Sequence, residues 1–172
     1  MKPFDVKVYY IIRIVDNPVG MVLMTVGLNR FMKEAMKEAR KGLRKGGIPI
    51  GAVLVRKGRI IGRGRNRKVQ LDSPILHAEI DCLRDAGRIK DYQGTVLYST
   101  LMPCYMCAGA IVHLGIKRVV VGENLNYRGT ERFLRAHGVR VTNIRSRECA
   151  ELLGQFIRKH RELWREDSGR WR

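Results

Sequence analysis

The sequence is poor in acidic and aromatic residues. Its 172 residues include 16 Asp and Glu against 34 Lys and Arg, so the net charge is +18, with a pI near 10.4. A surface this basic can attract nucleic acid or an anionic membrane. Aromatic residues make up only 7% of the chain, and few of them interleave with the basic ones as stacking platforms for single strands do. The charge is therefore compatible with non-specific nucleic-acid binding, and also with a merely well-solvated surface.

Cysteine is also scarce, because the chain has only four. Two form the pair Cys104-x-x-Cys107, while Cys82 and Cys149 stand alone in apolar helical patterns, where we expect buried packing residues. Four cysteines in this arrangement are not a disulfide framework. We therefore expect a reducing compartment, the cytoplasm.

Long apolar runs are absent. The most apolar stretch lies near the N-terminus, where residues 6–15 predict a strand and residues 19–28 form a short apolar run. Arg13, Asp16 and Pro18 interrupt this stretch, so it falls short of the ~20 apolar residues of a membrane span. It also lacks the small-residue cleavage site of a secretory signal. We interpret residues 1–28 as an N-terminal extension and residues 29–172 as the main domain.

The main domain alternates helices with strands. The pattern predicts helices over 29–46, from 72–74 onward, from Pro103 to about 114, over 130–136 and over 147–164, and strands over 50–55, 59–64, 95–101, 117–122 and 139–144. The first two strands form a hairpin around Lys57-Gly58, and the later ones connect through helices. We therefore predict a three-layer α/β/α sandwich around a mixed five-stranded sheet.

Two short motifs carry the chemistry: His77-Ala78-Glu79 and Pro103-Cys104-Tyr105-Met106-Cys107. Cys104 and Cys107 are three residues apart at a predicted helix start, so both thiols point to one side and the helix N-terminus favours thiolates. With His77 they supply three ligands for one zinc ion. An open fourth position is typical of catalytic zinc, because closed structural sites use four protein ligands.

Other interpretations of these residues exist. A lone Cys-x-x-Cys is typical of a thioredoxin-like redox pair, and a structural zinc would need a fourth ligand, for which His113 is the nearest candidate. Pro103 before the pair and the upstream His-x-Glu favour a catalytic zinc instead. Zinc lowers the pKa of its water, and Glu79 would move protons while hydroxide attacks a carbon that bears an amino group. The whole pattern is typical of zinc-dependent nucleobase deaminases.

Over roughly residues 29–168 the chain resembles fungal (yeast-type) cytosine deaminase, of the cytidine and deoxycytidylate deaminase superfamily. The resemblance rests on the runs Gly-Gly-Ile-Pro-Ile-Gly-Ala at 46–52, Gly-Arg-Gly-Arg-Asn at 62–66, Leu-His-Ala-Glu-Ile at 76–80, Val-Gly-Glu-Asn-Leu-Asn-Tyr at 121–127 and Trp-Arg-Glu-Asp at 164–167. It implies a homodimer with one Zn²⁺ per subunit that converts free cytosine, a small-molecule nucleobase, to uracil by attack at C4.

The resemblance also implies which residues bind the base. Asn66 would hydrogen-bond the ring carbonyl and the adjacent N–H, with support from the Ala78 backbone N–H. The Met102 carbonyl would meet the amino group, and Asp167 would lie on the amino side and help to fix a closed C-terminal lid.

Aromatic side chains complete the implied site, because Tyr127 and Trp164 would enclose the faces of the base. Three positions depart from the fungal pattern: Ala78 stands where Gly is expected, Tyr127 where Phe is expected, and Ser168 where an apolar lid residue is expected. A more polar lid could alter substrate range or product release.

The nearest rival interpretation is a tRNA adenosine deaminase. Such enzymes share His-Ala-Glu and Pro-Cys-x-Met-Cys-Ala-Gly-Ala, and the basic surface would suit RNA. The run at 121–127 and the Trp-containing tail favour the cytosine enzyme. A guanine or nucleoside deaminase is a further alternative, and so is a non-catalytic nucleic-acid-binding relative that uses zinc only to fold. The intact Glu79 argues against the last of these.

Overall fold

The computed structural model describes the backbone of residues 18–169 and the side chains of residues 30–169. The strand predicted over 6–15 lies outside the described residues. The chain divides into two compact units, residues 1–30 and 31–172, and the sheet and the candidate site lie in the second. Within the described residues, no helix combines the length and the apolar character needed to cross a membrane.

Six helices and five strands lie within the described residues. In chain order they are α1 Pro18–Arg44, β1 Gly51–Arg56, β2 Arg59–Arg65, α2 Ala78–Ala86, β3 Thr95–Leu101, α3 Tyr105–His113, β4 Arg118–Glu123, α4 Glu131–Ala136, β5 Arg140–Asn143, α5 Arg147–Lys159 and α6 Arg161–Asp167.

The five strands form one mixed sheet in the order β2-β1-β3-β4-β5. Strand β1 is antiparallel to both of its neighbours, and β3, β4 and β5 are parallel to one another. This confirms the predicted mixed five-stranded sheet. The hairpin turn contains Lys57 and Gly58, both with positive φ, as expected for a two-residue connection.

Helices cover both faces of the sheet. On one face Gly51 lies directly under α1, where a Cβ atom would come within 2.1 Å of the Ala35 carbonyl oxygen, and an Arg40–Glu148 ion pair of 2.9 Å links α1 to α5. On the other face Gly64 lies equally close to the backbone of Cys82 in α2. The close approach requires glycine at both positions. The three-layer sandwich is therefore confirmed.

Two helix starts differ from the prediction. Helix α1 begins at Pro18 and not at residue 29, because the apolar run over 19–28 continues the helix and proline is suited to a first helical turn. Helix α2 begins at Ala78 and not at 72–74. Asp72 has φ of 45°, a left-handed turn conformation that a helix cannot contain.

The last predicted helix is two helices. His160 ends α5 and precedes α6 with φ of −134° and ψ of 57°, which breaks the helical hydrogen-bond ladder. The bend separates a long helix on the sheet from a short one that carries Trp164 and Asp167, both buried. The sequence pattern missed this break because neither proline nor glycine marks it.

The core lies between the sheet and its helices. Its fully buried side chains come mainly from the strands and from the helices above them, with Leu54, Leu97, Val119, Val121, Ile111 and Leu153 among them. The predicted packing role of the two lone cysteines is also confirmed, because Cys82 and Cys149 are free and buried.

Candidate active site

Two helix starts meet at one edge of the sheet. His77 is the residue before α2, Cys104 is the residue before α3, and Cys107 lies in the first turn of α3. Both helices begin near the carboxyl end of β3, where sites gather in α/β folds. Pro103 therefore precedes α3 by two residues instead of opening it, and Cys104 has an extended backbone.

The three side chains form a metal site. Their donor atoms lie within 4.8 Å of one another, and His77 Nδ1 is 3.4 Å from Cys104 Sγ. Among residues 30–169 no other group of histidine, cysteine and carboxylate donors is as compact, so His113 does not complete a four-ligand structural site. Two thiols and one imidazole are a donor set that suits zinc with an open fourth position.

Hydrogen bonds divide the charge between the two thiols. The hydrogen bond from Cys107 lowers the pKa of Cys104 to about 4, against the effect of burial and with help from His77. The same bond, together with burial, raises the pKa of Cys107 well above its usual value. Burial opposes the charge of His77, but the hydrogen bond to Cys104 and the charge of Asp167 outweigh it and raise its pKa. Of the two thiols, Cys104 is therefore the more acidic.

Glu79 lies beside these ligands without belonging to them. Its carboxylate accepts a hydrogen bond of 2.8 Å from Ser99 Oγ and one of 3.4 Å from Cys107 Sγ. The side chain is buried, and desolvation raises its pKa. Ser99 was missed by sequence reasoning. The sequence offered no signal for it, because Thr95, Tyr98 and Thr100 also place hydroxyls in this strand.

A pocket opens next to the ligands. Its walls include five of the six predicted base-binding residues, which are Ala78, Met102, Tyr127, Trp164 and Asp167. The other residues that line it are His77, Glu79, Cys104, Ile50, Leu101 and Ser168. The structure therefore brings together residues from both ends of the chain.

Asn66, the sixth predicted residue, lies behind the wall. It is fully buried, and its Nδ2 donates a hydrogen bond of 2.9 Å to Asp167 Oδ1. Its Oδ1 accepts one of 3.1 Å from the Lys68 backbone N–H. Asn66 therefore reaches the pocket through Asp167, which forms part of the pocket surface.

The Asp167 carboxylate contacts three other side chains. Besides Asn66, its Oδ1 lies 3.6 Å from His77 Nε2 and 3.6 Å from Lys68 Nζ. The Lys68 side chain is only 11% exposed, and it also lies 3.9 Å from Glu166 Oε1. These contacts tie α6 to the loop before α2. Lys68 was missed because nothing in the sequence separates it from the many other cations.

A buried glutamate shapes the loop that carries Tyr127. Glu123 ends β4 and is 1% exposed. Its carboxylate accepts hydrogen bonds from the backbone N–H groups of Leu125 and Asn126, at 2.5 and 3.1 Å, and from Asn126 Nδ2 at 3.1 Å. Asn126 Nδ2 also bonds the Ala150 carbonyl at 3.0 Å. The loop is thereby held against α5, and Tyr127 follows it into the pocket.

The family model for the cytidine and deoxycytidylate deaminase zinc-binding region matches residues 27–123, which include all three metal-binding residues. A cytosine deaminase from Candida albicans is 41% identical over 149 residues, which cover 85% of this chain and 99% of the relative. This confirms the resemblance to the fungal enzymes.

Deaminases that act on adenosine in tRNA are also similar to this chain. A tRNA-specific adenosine deaminase from Buchnera aphidicola is 39% identical over 76% of this chain and 94% of its own length. A solved structure from a study of A-to-I editing by tRNA:A34 deaminases is 42% identical, with a TM-score of 0.51 over 54% of this chain and 74% of that one. With its three-donor zinc site, this chain is a hydrolytic deaminase that belongs to the cytidine and deoxycytidylate deaminase family.

Proposed function

We propose that this protein hydrolyses free cytosine to uracil and ammonia. The observation that carries the proposal is the wall that α6 adds to the pocket. Trp164, Asp167 and Ser168 all line it, and Asp167 is tied to Asn66 and Lys68. A pocket closed by a short helix has room for a small base, whereas the nucleotides of a tRNA loop would need this side to be open.

The pocket suits a small, flat and polar ligand. Such ligands need a few buried hydrogen-bonding groups and an aromatic wall. The Ala78 backbone N–H would bind the ring carbonyl, and the Met102 carbonyl and Asp167 would bind the amino group, with Asn66 holding Asp167 from behind the pocket wall. Tyr127 and Trp164 would cover the faces of the ring.

Glu79 would carry the protons of the reaction. Zinc held by His77, Cys104 and Cys107 supplies, when bound, a water of lowered pKa. Ser99 holds one oxygen of the Glu79 carboxylate, so the other, near Cys107, is directed at the metal side. Glu79 would take one proton from water and pass it to the ring nitrogen, and would then move the proton of the new C4 hydroxyl to the leaving amine as the C4 carbonyl forms. The oxygen of water replaces nitrogen on C4, and ammonia leaves.

A substrate panel tests this proposal. The zinc-loaded protein is incubated with cytosine, cytidine, adenine, guanine and a tRNA anticodon stem-loop, and ammonia and products are measured. We expect turnover of cytosine above all the others. Inosine formation in the stem-loop without any uracil from cytosine would contradict the proposal.

A tRNA adenosine deaminase is the second candidate. It is favoured by the 39% and 42% identities reported above and by the net charge of +18. The stem-loop arm of the panel decides between the two, and guanine and cytidine test the weaker alternatives of a guanine or nucleoside deaminase.

We also propose that the protein is a cytoplasmic homodimer that acts in pyrimidine salvage. Large apolar side chains lie exposed on segments that flank the metal ligands, with Ile75 54% and Tyr105 67% exposed. A second copy of the chain would cover them. Sedimentation velocity should give twice the 19.8 kDa monomer mass, and a Tyr105→Glu variant should sediment more slowly.

Truncation tests the proposed division of the chain into an N-terminal extension and a main domain. If residues 1–28 are an extension, a chain that starts at residue 29 should keep its zinc and its cytosine turnover. Loss of folding in that chain would show that these residues belong to the domain.

A further inference from the structure

Lys68 keeps its ammonium group almost out of solvent. Its side chain is only 11% exposed, whereas the side chains of Lys37 and Lys41, which also form ion pairs, are 69% and 48% exposed. A buried ammonium is costly unless an opposite charge lies close to it. The Nζ atom of Lys68 lies 3.6 Å from Asp167 Oδ1 and 3.9 Å from Glu166 Oε1. Of these two carboxylates, Asp167 is the nearer and the more deeply buried.

The backbone of Lys68 is fixed on both sides. Its N–H donates a hydrogen bond of 3.1 Å to Asn66 Oδ1, and its carbonyl accepts one of 3.0 Å from the Ser73 N–H. Asn66 uses its other polar group, Nδ2, to donate a hydrogen bond of 2.9 Å to Asp167 Oδ1. Lys68 and Asn66 thus reach the same carboxylate oxygen from one short, hydrogen-bonded turn.

Zinc binding changes the charges around Asp167. Its Oδ1 atom also lies 3.6 Å from His77 Nε2. A histidine that holds a metal is a neutral imidazole, so His77 would bring no full positive charge to this contact in the zinc-loaded protein. The Lys68 ammonium is not part of the metal site and keeps its charge. Lys68 is therefore the charged partner of Asp167 that does not depend on the metal.

The charge of Asp167 matters because this side chain lines the pocket. An ionised carboxylate only accepts hydrogen bonds. The amino group of a deaminase substrate can donate one to it. The carbonyl that replaces this amino group in the product can only accept, and its oxygen would face the negative charge of the carboxylate. A carboxylate that stays ionised and in place would therefore favour the substrate over the product.

We propose that Lys68 is a specificity-determining residue: it holds Asp167 in the pocket wall as an ionised acceptor and so favours a base that carries an amino group over its carbonyl product. Lys68 is not itself among the described residues that line the pocket, so it acts through Asp167 as a positioning residue. The inference rests on the place beside Asp167 that the proposed function gives to the amino group, and not on which base carries that group.

Variants of two lysines test the proposal. Lys68→Met removes the charge and keeps most of the side-chain length, whereas Lys68→Arg keeps the charge. Lys159→Met is the matched control, because this lysine is exposed at the end of α5 and the variant loses the same charge. Zinc content and thermal unfolding show whether each variant is folded. Should Lys68→Met fail to fold, Lys68→Gln takes its place, since it also lacks the charge.

The measurement compares two constants of the zinc-loaded protein, Ki for uracil as a competitive product inhibitor and KM for cytosine. In Lys68→Met we expect KM to rise about tenfold, as for the loss of one hydrogen bond to a charged group, and Ki to stay within about twofold. The ratio of Ki to KM should therefore fall. Lys68→Arg and Lys159→Met should keep the wild-type ratio.

A double variant shows whether Lys68 acts through Asp167. The side chain of Asp167→Asn is neutral and does not need an ammonium beside it. Adding Lys68→Met to Asp167→Asn should therefore change the ratio of Ki to KM little, although Lys68→Met lowers the ratio in the wild type.

Three outcomes would overturn the proposal. The first is an equal rise of KM and Ki in Lys68→Met, which would mean that Lys68 only holds α6 in place. The second is a Lys68→Met variant with both constants unchanged. The third is an equally large effect of Lys68→Met in the Asp167→Asn background. A wild-type protein that does not turn over cytosine would contradict the proposed function alone, because the ratio is then measured with the base that the substrate panel identifies and with its carbonyl product.

Discussion

The metal side of the pocket is built from two helix starts, whereas the proposed base side also uses three segments that lie far apart in the chain. His77, Cys104 and Cys107 lie within two short motifs, and the first turns of α2 and α3 hold them. Asn66 follows β2, Tyr127 follows β4, and Trp164 and Asp167 belong to α6. On the proposed function, reactivity would depend on local backbone geometry and substrate choice on long-range packing. Changes on the metal side should therefore abolish catalysis, and changes on the base side should weaken binding.

Removing a metal ligand should have the largest effect. In Cys104→Ala we expect loss of zinc and a fall in activity of more than about 10³-fold, because the metal's contribution amounts to several kcal/mol. Metal analysis and turnover of cytosine provide the measurement. Cys149→Ala is the matched control, because it removes a buried thiol that touches no ligand, and it should keep both zinc and activity.

Glu79→Gln separates metal binding from proton transfer. We expect one zinc per chain, as in the wild type, and a fall in kcat of about 10²–10⁴-fold, the usual contribution of a general acid–base group. Glu162→Gln, on the exposed side of α6, should behave as the wild type. Parallel loss of zinc and activity would place Glu79 among the groups that build the metal site.

Asp167→Asn tests the base side. The buried carboxylate meets Asn66, Lys68 and His77, and hydrogen bonds to charged groups contribute about 1.5–3 kcal/mol. We expect KM for cytosine to rise roughly 10- to 100-fold with a smaller change in kcat. The neighbouring Glu166→Gln keeps the buried contacts and should change KM little. An equal effect of both variants would point to net charge instead of the buried contact.

Glu123→Gln tests the loop that leads to Tyr127. The amide of Gln keeps one accepting oxygen, but its NH2 group would face a donor that the second carboxylate oxygen now accepts, and an unsatisfied buried group costs about 1–3 kcal/mol. We expect that decrease in the free energy of unfolding in urea, and a several-fold rise in KM. Glu131→Gln at the start of α4 is the control. A full loss of turnover with unchanged stability would contradict a positioning role.

Thiol labelling should distinguish the metal-binding cysteines from the buried ones. It is the mildest test, because no residue is substituted. Burial raises the pKa of Cys149 to about 11, so at pH 8 only about one molecule in 10³ carries its thiolate. After zinc removal at pH 8, iodoacetamide should modify Cys104 first, because its pKa is lowered, and should spare Cys149 and Cys82. Labelling of Cys149 should rise as the pH approaches 11. Mass spectrometry gives the sites, and early modification of Cys82 would show that its burial is transient.

The sequence predicted the strands more accurately than the loops. The residues of β3 were predicted without error, since branched and apolar residues mark both of its ends. The start of α2 was predicted too early, because Asp-Ser-Pro at 72–74 is a sound local capping signal. The tertiary structure instead uses these residues in a loop that brings Lys68 to Asp167.

Some parts of the candidate site were likewise predictable from the sequence, and others were not. The two cysteine donors were predictable because one helical turn sets their spacing, which is a local property, and His77 was predictable from its short motif with Glu79. Ser99, Lys68 and Glu123 were not, because their roles consist of contacts with residues 20 and 99 positions away or with a loop's backbone. The roles of Glu79 and of the base-binding residues remain predictions.

The sequence by itself predicted the zinc donors and the mixed sheet, from spacing and periodicity along short segments, and its resemblance to the fungal enzymes indicated the deaminase family. Only the tertiary structure decided that α6 is a helix separate from α5 and that Asn66 meets Asp167. The physical reason is that these features join segments far apart in the chain. Such contacts are selected by the packing of the whole domain.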